Sequence, residues 1–380
     1  MNILIRGETM IISKITGFVK KNIVMVIAFC AAVITSFIVP PDAEYIDYFD
    51  FKTLTCLFCV LAIVCALNNI GFFYMLARKI VERFKTIRAA ILVLVYITFI
   101  GSMLIANDMA LLTFLPLGYF VLKSTGKEKY MAFTFIMQNI AANLGGMLTP
   151  FGNPQNLYLY SKFSIPNLEF MGIMAPPFIV SIAIITFCCL VFVKSEELTI
   201  ADEKVVLRPR RTAAYLLLFV LSIAIVFRSI PYWLGLIIIP AFLLMFDKKA
   251  LRDVDYGLLF TFVFFFIFAG NMARIECVSD LFSSLLEKNT LIFSALSCQV
   301  ISNVPSAILL SQFVGDNYAD LLIGVNIGGT GTLIASLASL ITFREYSKHN
   351  PQKRGYYIAM FSLFNFSFLF ILIIFSMLFI

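Results

Sequence analysis

Long apolar runs separated by short charged segments occupy most of this chain. Several of the runs approach the about 20 residues that a helix needs to cross a bilayer core. These runs are residues 23–39, 54–67, 178–193, 214–227, 257–269 and 357–380. Polar and apolar residues do not alternate within them, as they would in the strands of a membrane barrel. The pattern therefore predicts an all-α membrane protein.

The positions of the charged residues predict how these spans are oriented. Basic residues collect in cytoplasmic loops, and here they cluster between the predicted spans. The clusters lie at residues 78–88, 123–129, 194–211, 248–252 and 344–354. With a cytoplasmic N-terminus, about nine crossings plus two hairpins place every cluster inside and the C-terminus outside. We therefore expect a multi-pass protein of the cell membrane with this orientation.

The composition agrees with this class and excludes a soluble domain. Of the 380 residues, 61% are hydrophobic and only 13% are charged, and the mean hydropathy is +0.95. The basic inner loops account for the net charge of +7, which therefore does not indicate a nucleic-acid partner. Most of the eight Cys lie in apolar runs, and the lone C-x-x-C of Cys56 and Cys59 has no second Cys pair beside it. We expect no cofactor, no metal site and no enzymatic nucleophile with a base partner.

Two apolar segments are too long for one short span and carry polar residues near their middle. They cover about residues 89–122 and about residues 281–313. The first has Asn107 and Asp108 at its centre, and the second has Ser302 and Asn303. Each pattern predicts a re-entrant hairpin with a polar tip, which a membrane tolerates only where protein or a water-filled cavity surrounds the tip.

A second pair of segments combines apolar residues with helix breakers. They cover about residues 130–161 and about residues 319–343. A glycine pair in each segment, with prolines added in the first, interrupts the predicted helix by removing backbone hydrogen bonds. Residues 143–149 align without gaps with residues 326–332, Asn-Leu-Gly-Gly-Met-Leu-Thr against Asn-Ile-Gly-Gly-Thr-Gly-Thr. The alignment predicts a duplicated, broken transmembrane helix.

The hairpins and the broken helices follow the same order in both halves of the chain. Because the charge pattern opens one hairpin to the inside and the other to the outside, the halves are predicted to have opposite orientations. We expect two inverted repeats, residues 1–194 and 232–380, joined by a cytoplasmic connector and a linking helix at residues 195–231. Inverted repeats with interrupted helices are the architecture of secondary transporters, whose site lies near the midplane between the repeats.

The polar residues at the tips and breaks form the predicted substrate site. A broken helix exposes an N-terminus, whose N–H groups favour anions, and a C-terminus, whose carbonyls favour cations. The candidate substrate-binding residues are Asn107, Asn143, Gly145, Gly146, Thr149, Asn153, Ser302, Asn303, Gly328, Gly329, Thr330 and Thr332. The alternative for each isolated Asn, Ser or Thr is a hydrogen bond that joins two membrane helices. Their occurrence in repeat-related clusters favours a site.

Asp108 is an acidic residue near the middle of an apolar segment, where a carboxylate is costly and therefore functional by default. Together with Asn107 and Asn303 it is predicted to bind the coupling ion, either as a proton carrier or as a Na⁺ ligand. The alternative is a structural hydrogen bond to a neighbouring helix. Its counterpart in the second half is Val304, so this chemistry belongs to one half only.

The tip and break motifs resemble those of the ion transporter superfamily, which includes arsenite permeases and citrate and dicarboxylate transporters. The motifs are Ala106-Asn107-Asp108, NLGGMLTPFGNPQNL, Ser302-Asn303-Val304-Pro305 and NIGGTGTLIASLASL. The resemblance implies a scaffold part and a transport part that moves across the membrane like an elevator, often in a homodimer. The dicarboxylate branch carries Ser-Asn-Thr at each tip, so the present tips are more similar to those of arsenite permeases and sodium/proton antiporters.

These patterns predict a secondary active transporter that moves a small anion or oxyanion across a lipid membrane, driven by a gradient of Na⁺ or H⁺. One alternative is a Na⁺/H⁺ antiporter that uses Asp108 as its proton carrier. Another is a passive anion channel, since polar hairpins also line pores. An intramembrane enzyme is the least favoured class, because the sequence offers no catalytic group of residues.

Overall fold

The computed structural model of the protein describes residues 22–81, 83–197, 209–315 and 317–379. The predicted cytoplasmic N-terminus, with Lys14 and Lys20, lies outside these residues, as does Asp316 at the end of the second hairpin segment. Within the described ranges the chain is helical and contains no strand, apart from an isolated bridge between Thr86 and Glu197. The prediction of an all-α protein is confirmed.

The α-helices are numbered here in chain order. They are α1 (Ile23–Ile38), α2 (Phe51–Asn69), α3 (Phe72–Val81), α4 (Ile87–Ile105), α5 (Asn107–Ser124), α6 (Met131–Gly145), α7 (Pro154–Lys162), α8 (Asn167–Phe192), α9 (Pro209–Val226), α10 (Tyr232–Phe246), α11 (Lys248–Asp253), α12 (Tyr256–Ala273), α13 (Glu276–Ile301), α14 (Asn303–Leu310), α15 (Tyr318–Ile327), α16 (Leu337–His349) and α17 (Arg354–Phe379). Short 3₁₀ segments precede α2, α6 and α17 and follow α6.

Six helical segments of the described chain are long and apolar enough to cross a membrane. They are Phe51–Asn69, Ile87–Ile105, Asn167–Phe192, Pro209–Val226, Tyr256–Ala273 and Pro351–Phe379. Shorter apolar helices lie at Val24–Ile38, Tyr232–Phe246 and Tyr318–Ile327. The protein is therefore a multi-pass membrane protein, while the number of crossings and the inverted relation of the halves stay predictions.

Polar side chains fix where several of the apolar helices begin. The carboxylate of Asp50 accepts the Thr53 N–H at the start of α2, and that of Asp255 accepts the Leu258 N–H at the start of α12. Such caps satisfy N–H groups that have no partner inside the helix, and an acidic cap also suits the positive end of the helix dipole. The same residues separate one apolar run from the preceding loop.

The helices pack as two groups. In the first helix group, α1 packs along α12, and α2 packs against α9, α10 and α11. In the second helix group, α4 packs against α5 and α6, α13 packs against α14 and α15, α16 packs against α5 and α6, and α7 packs against α14 and α15. The groups meet where α12 contacts α14 and where α2 contacts α7. Both helix pairs with polar tips therefore belong to the second helix group.

Candidate functional site

A single residue separates the two helices at each polar tip. Ala106 lies between α4 and α5 with φ 66°, and Ser302 lies between α13 and α14 with φ 75°. A side chain is strained in this left-handed region, and such strain persists only where the surroundings hold the backbone in place. The helices on either side of the first tip (residues 106–108) and of the second tip (residues 302–304) pack against each other as antiparallel arms. The first arms are α4 and α13, and the second arms are α5 and α14.

The second hairpin begins further along the chain than its apolar pattern suggests. Within α13 the backbone leaves the helical conformation at Asn289, with φ −167° and ψ 98°, and the Asn289 side chain accepts the N–H of Ile292. This interruption divides α13 into an outer helix and the arm that ends at Ser302. The sequence reasoning missed it, although the polar run at residues 287–290, Glu-Lys-Asn-Thr, is the signal that could have placed it.

Each tip is tied to the break of the same half through its backbone. The Asn107 N–H donates to the Gly152 carbonyl at 3.1 Å, and the Asn303 N–H donates to the Ala335 carbonyl at 2.9 Å. If the ungapped alignment of the two halves is extended, Gly152 falls opposite Ala335. The tips are thus held by equivalent bonds in the two halves.

A threonine adds a second equivalent bond between break and hairpin. The Thr149 hydroxyl donates to the Met103 carbonyl at 2.7 Å, and the Thr332 hydroxyl donates to the Gln299 carbonyl at 3.1 Å. Met103 and Gln299 each lie three residues before the strained tip residue. These threonines satisfy carbonyls in the last turn of each first arm, which have no partner inside their helix.

The interrupted helices leave two irregular segments, the first break (residues 146–153) between α6 and α7 and the second break (residues 328–336) between α15 and α16. A Cβ atom on Gly145 would lie 2.2 Å from the Phe99 carbonyl oxygen, and one on Gly328 would lie 2.9 Å from the Ala295 Cα. These glycines therefore allow the broken helices to approach the first arms closely. They serve packing and lie behind the site rather than on its wall.

Each break also donates a hydrogen bond to the helix that precedes the other break. The Ser336 hydroxyl donates to the Asn143 side-chain oxygen at 2.8 Å, and the Asn153 amide donates to the Asn326 side-chain oxygen at 3.1 Å. Asn143 also accepts a bond of 3.1 Å from the Asn107 amide. Because Asn143 aligns with Asn326 and Asn153 with Ser336, the two bonds between the halves are reciprocal.

Both tips, the start of α7 and the end of the second break surround one small cavity of about 80 Å³, called here the central cavity. Six helices, α1, α5, α7, α12, α14 and α16, present their N-terminal residues to it. Polar and charged residues on its wall are Asn22, Asn107, Asp108, Gln155, Asp255, Thr261, Ser302, Asn303, Ser336 and Arg344. A larger cavity of about 640 Å³ shares Asp108, Pro154 and Asp255 with it and reaches Arg252 and Asp253. The central cavity therefore opens toward the basic loop before α12.

The charges around the central cavity favour an anion. Six helix N-termini contribute the partial positive charge of their dipoles. The first N–H groups of α5 and α14 are engaged by the Gly152 and Ala335 carbonyls. Arg344 contributes a full positive charge to the same wall. The opposing charges are Asp108 and Asp255, of which Asp108 lies in the first turn of α5.

Two acceptor atoms on the cavity wall lack a donor among the described residues. They are the Oδ1 atom of Asp108 and the Oε1 atom of Gln155, both buried. A buried acceptor without a donor is unfavourable. A proton on Asp108, or a ligand that donates hydrogen bonds, would remove this penalty.

The structure brings four predicted site residues to the cavity wall: Asn107, Asp108, Ser302 and Asn303. Asn143 and Asn153 are 2% and 1% exposed and connect the wall residues from behind. The remaining predicted residues, Gly145, Gly146, Thr149, Gly328, Gly329, Thr330 and Thr332, shape the breaks and do not line the central cavity. Thr330 bonds locally, to the Ile327 carbonyl at 2.6 Å.

Six polar or charged wall residues were missed by the sequence reasoning: Asn22, Gln155, Asp255, Thr261, Ser336 and Arg344. Extending the alignment by four residues would have paired Ser336 with Asn153. Arg344 was assigned to a basic inner loop, yet it continues α16 on the face that carries Leu337 and Leu340. That helical spacing is the signal that could have placed Arg344 at the site.

A multi-pass helical bundle whose broken helices meet around one polar cavity defines a membrane transporter. Comparison with known proteins gives the family: a family description, "Citrate transporter", matches residues 9–317, so the chain belongs to the citrate transporter family. The predicted membership of the ion transporter superfamily is thereby confirmed, and so is the prediction that the protein is a transporter and not an enzyme.

Two curated relatives are similar over most of their length. An uncharacterized transporter of Methanocaldococcus jannaschii is 34% identical over 303 residues, which cover 79% of this chain and 82% of the relative. The inner membrane protein YbiR of Escherichia coli is 28% identical over 301 residues, covering 78% of this chain and 80% of the relative. Both names agree with a transport or membrane role and leave the transported solute open.

Proposed function

We propose that the protein is a secondary active transporter for a small anion, either a carboxylate or an inorganic oxyanion. The observation that carries this proposal is the convergence of six helix N-termini and Arg344 on the central cavity. Helix N-termini favour anionic groups through the helix dipole, and a guanidinium adds charge-assisted bonds. The family description makes citrate the first solute to test.

The equivalent bonds in the two halves support an inverted-repeat transporter. Tip-to-break bonds at Asn107 and Asn303, and reciprocal bonds at Asn143 and Asn326, relate the halves residue by residue. In such transporters alternating access arises when one part moves against the other around a fixed site. We propose that the second helix group is the mobile part and that the first helix group is the scaffold of an elevator, in a homodimer.

We propose that the protein lies in the cell membrane with its N-terminus inside and its C-terminus outside. The basic loop before α12, which includes Lys248 and Lys249, then lies at the inner surface. Because the central cavity opens toward this loop, we infer an inward-facing state in this orientation. The anion would leave toward the cytoplasm from this state.

Coupling is proposed to involve Asp108 with either H⁺ or Na⁺. An ionised Asp108 on the wall repels an anion in the same cavity, because both carry negative charge. A proton on Asp108, or a Na⁺ beside it, removes this repulsion and lets the anion bind. The anion and the coupling ion would then be bound together, as a symporter requires.

The role of Arg344 can be tested in liposomes that contain the purified protein. Uptake of radiolabelled citrate, succinate, phosphate, sulfate and arsenite identifies the solute that the wild type accumulates. For that solute, Arg344→Gln is expected to raise KM by about tenfold or more, because a charge-assisted bond contributes about 1.5–3 kcal/mol.

Lys348→Gln is the matched control, since it removes a positive charge from the same helix at an exposed position that pairs with Glu345 at 3.8 Å. Its KM is expected to equal that of the wild type. If Arg344→Gln and Lys348→Gln both leave KM unchanged, the anion site is not the central cavity.

A Na⁺/H⁺ antiporter is the second candidate function, and the unpaired Oδ1 atom of Asp108 favours it. Vesicles loaded with a pH-sensitive dye distinguish the two functions. Proton movement that Na⁺ evokes without any added anion, and that Asp108→Asn abolishes, would identify the antiporter. Proton movement that requires the anion would identify the symporter.

A further inference from the structure

A side-chain amide fills the first break. Asn156 is fully buried, and its Nδ2 group donates to the carbonyls of Gly146 at 3.1 Å, Met147 at 3.1 Å and Thr149 at 3.3 Å. Its side-chain oxygen accepts a 2.6 Å bond from the Asn326 amide. The amide is therefore fixed at both ends with its nitrogen at the centre of three backbone oxygens.

The second break contains a corresponding amide from a different helix. The Nε2 group of Gln299, in the last turn of α13, donates to the carbonyls of Gly328 at 2.8 Å and Thr330 at 3.0 Å. It also donates to the Ala295 carbonyl at 3.0 Å, and its side-chain oxygen accepts the Thr332 N–H at 2.9 Å.

The backbone of the second break is adapted to this amide. A Cβ atom on Gly331 would lie 2.1 Å from the Gln299 Oε1 atom, so a residue with a side chain would displace the amide. Gly331 also has φ 119°, a conformation that residues with a side chain rarely adopt. The glycine thus lets the break close around Gln299.

Several carbonyls gathered around one point are the arrangement with which proteins bind hard cations. Here an NH₂ group occupies that point in each break, and its two N–H bonds present partial positive charge to the oxygens. Further break carbonyls are engaged as well, among them Gly152 by the Asn107 N–H, Ala335 by the Asn303 N–H and Gly329 by the Asn143 amide. A cation could use these oxygens only after several hydrogen bonds had broken.

We propose that Asn156 and Gln299 are built-in substitutes for a bound cation, so that neither break binds Na⁺. This inference deepens the proposed function. The absence of Na⁺ from the breaks does not depend on that function, and only its consequence for coupling rests on it. In the transport cycle proposed above, the coupling ion then binds at Asp108 and not at the breaks, which stay neutral through the cycle.

The experiment measures cation binding directly and needs no transport. The Tm of the purified Asp108→Asn protein, which has both breaks intact but no carboxylate at the tip, is compared in NaCl and in choline chloride of equal concentration, which screen charges equally. It is expected to have the same Tm in both salts. Gln299→Glu and Asn156→Asp keep the size of each side chain but replace the NH₂ donor with an oxygen, which completes a cation cage.

Each carboxylate variant is expected to have a Tm that is higher in NaCl than in choline chloride, by on the order of 2–5 °C, because a ligand bound to the folded state raises its stability. Gln312→Glu is the control, since the Gln312 amide bonds to Tyr158 and Ile308 outside the breaks. No Na⁺-specific rise is expected for it.

A Na⁺-specific rise in the Tm of Asp108→Asn would overturn the inference, and so would folded Gln299→Glu and Asn156→Asp proteins that do not respond to Na⁺. If one carboxylate variant fails to fold, the other gives the result, and the Asp108→Asn comparison decides independently of both. The proposed transport function fails separately, when no anion is accumulated.

Discussion

The bond between Ser336 and Asn143 joins the two halves at the site, and a double-mutant cycle can measure what it contributes. Ser336 lies at the start of α16 in the second half, and Asn143 lies in α6 of the first half. Their oxygens are 2.8 Å apart, and the residues are 1% and 2% exposed. Asn143→Ala, Ser336→Ala and the double variant complete the cycle.

The structure sets the expected magnitudes. Asn143→Ala leaves two buried donors without their acceptor, the Ser336 hydroxyl and the Asn107 amide, and each costs about 1–3 kcal/mol. Ser336→Ala removes the cap on the Ala338 N–H and one of two donors to Asn143, so a loss of about 1–3 kcal/mol is expected. The double variant should lose about 1 kcal/mol less than the sum, because the shared bond is counted only once.

The free energy of unfolding is measured by denaturant titration of the purified protein in detergent micelles, with the linear extrapolation applied to all four proteins. Ser367→Ala serves as the control partner for Asn143→Ala, because its exposed hydroxyl bonds only within α17, to the Leu363 carbonyl. That pair should be additive. Additivity of Asn143→Ala and Ser336→Ala within about 0.5 kcal/mol would refute the reasoning that this bond couples the halves.

Three further predictions concern coupling, packing and pH. Asp108→Asn should abolish the dependence of anion uptake on an imposed pH gradient, since an amide carries no exchangeable charge; uptake with and without the gradient measures this. Gly145→Ala should destabilise the protein by about 1–3 kcal/mol or more through overpacking, whereas Gly172→Ala, with open space around its Cβ, should be neutral or stabilising in thermal unfolding. Hydrogen bonds from Lys127, Lys129 and Tyr130 lower the pKa of Glu196 from 4.5 to about 2. Its contribution to stability is therefore present above about pH 4.5 and is lost as the pH falls toward 2, so Tm should fall less steeply in Glu196→Gln than in the wild type.

The polar tips were predictable because a membrane makes polar residues conspicuous. Asn107 and Asn303 interrupt long apolar runs, and both lie on the wall of the central cavity. The breaks were visible for the same reason, since Gly and Pro interrupt membrane helices only where other groups replace the lost bonds. The all-α class and the approximate positions of the tips and breaks could therefore be predicted from local sequence.

The lining of the cavity depended on tertiary packing and was predicted less well. Gly145 and Gly328 were expected at the substrate, but they allow close helix contacts behind it. Glycine can expose backbone groups to a ligand, and it can also let two helices pack closely. Sequence alone does not separate these two roles.

The positive charge of Arg344 at the site was missed because basic residues had been used to assign cytoplasmic loops. Arg344 resembles the basic residues that follow a span, yet α16 continues to His349 and carries Arg344 along the cavity wall. Gln299 was missed because its partners in the second break lie 29 and 31 positions further along the chain. Only the fold brings that amide to the break.

If both tips form one anion site in an active transporter, both tip asparagines are needed for accumulation. Accumulation of the identified anion is measured in liposomes under an imposed proton or Na⁺ gradient, for the wild type, Asn107→Ala and Asn303→Ala. Asn350→Ala, in the loop between α16 and α17 and away from the cavity, is the control. The wild type and the control are expected to accumulate the anion above its electrochemical equilibrium, and both tip variants are expected to lose at least about tenfold in rate. Folded tip variants that accumulate the anion like the wild type would show that the tips do not form the site, and a wild type that only equilibrates the anion would show that transport is passive.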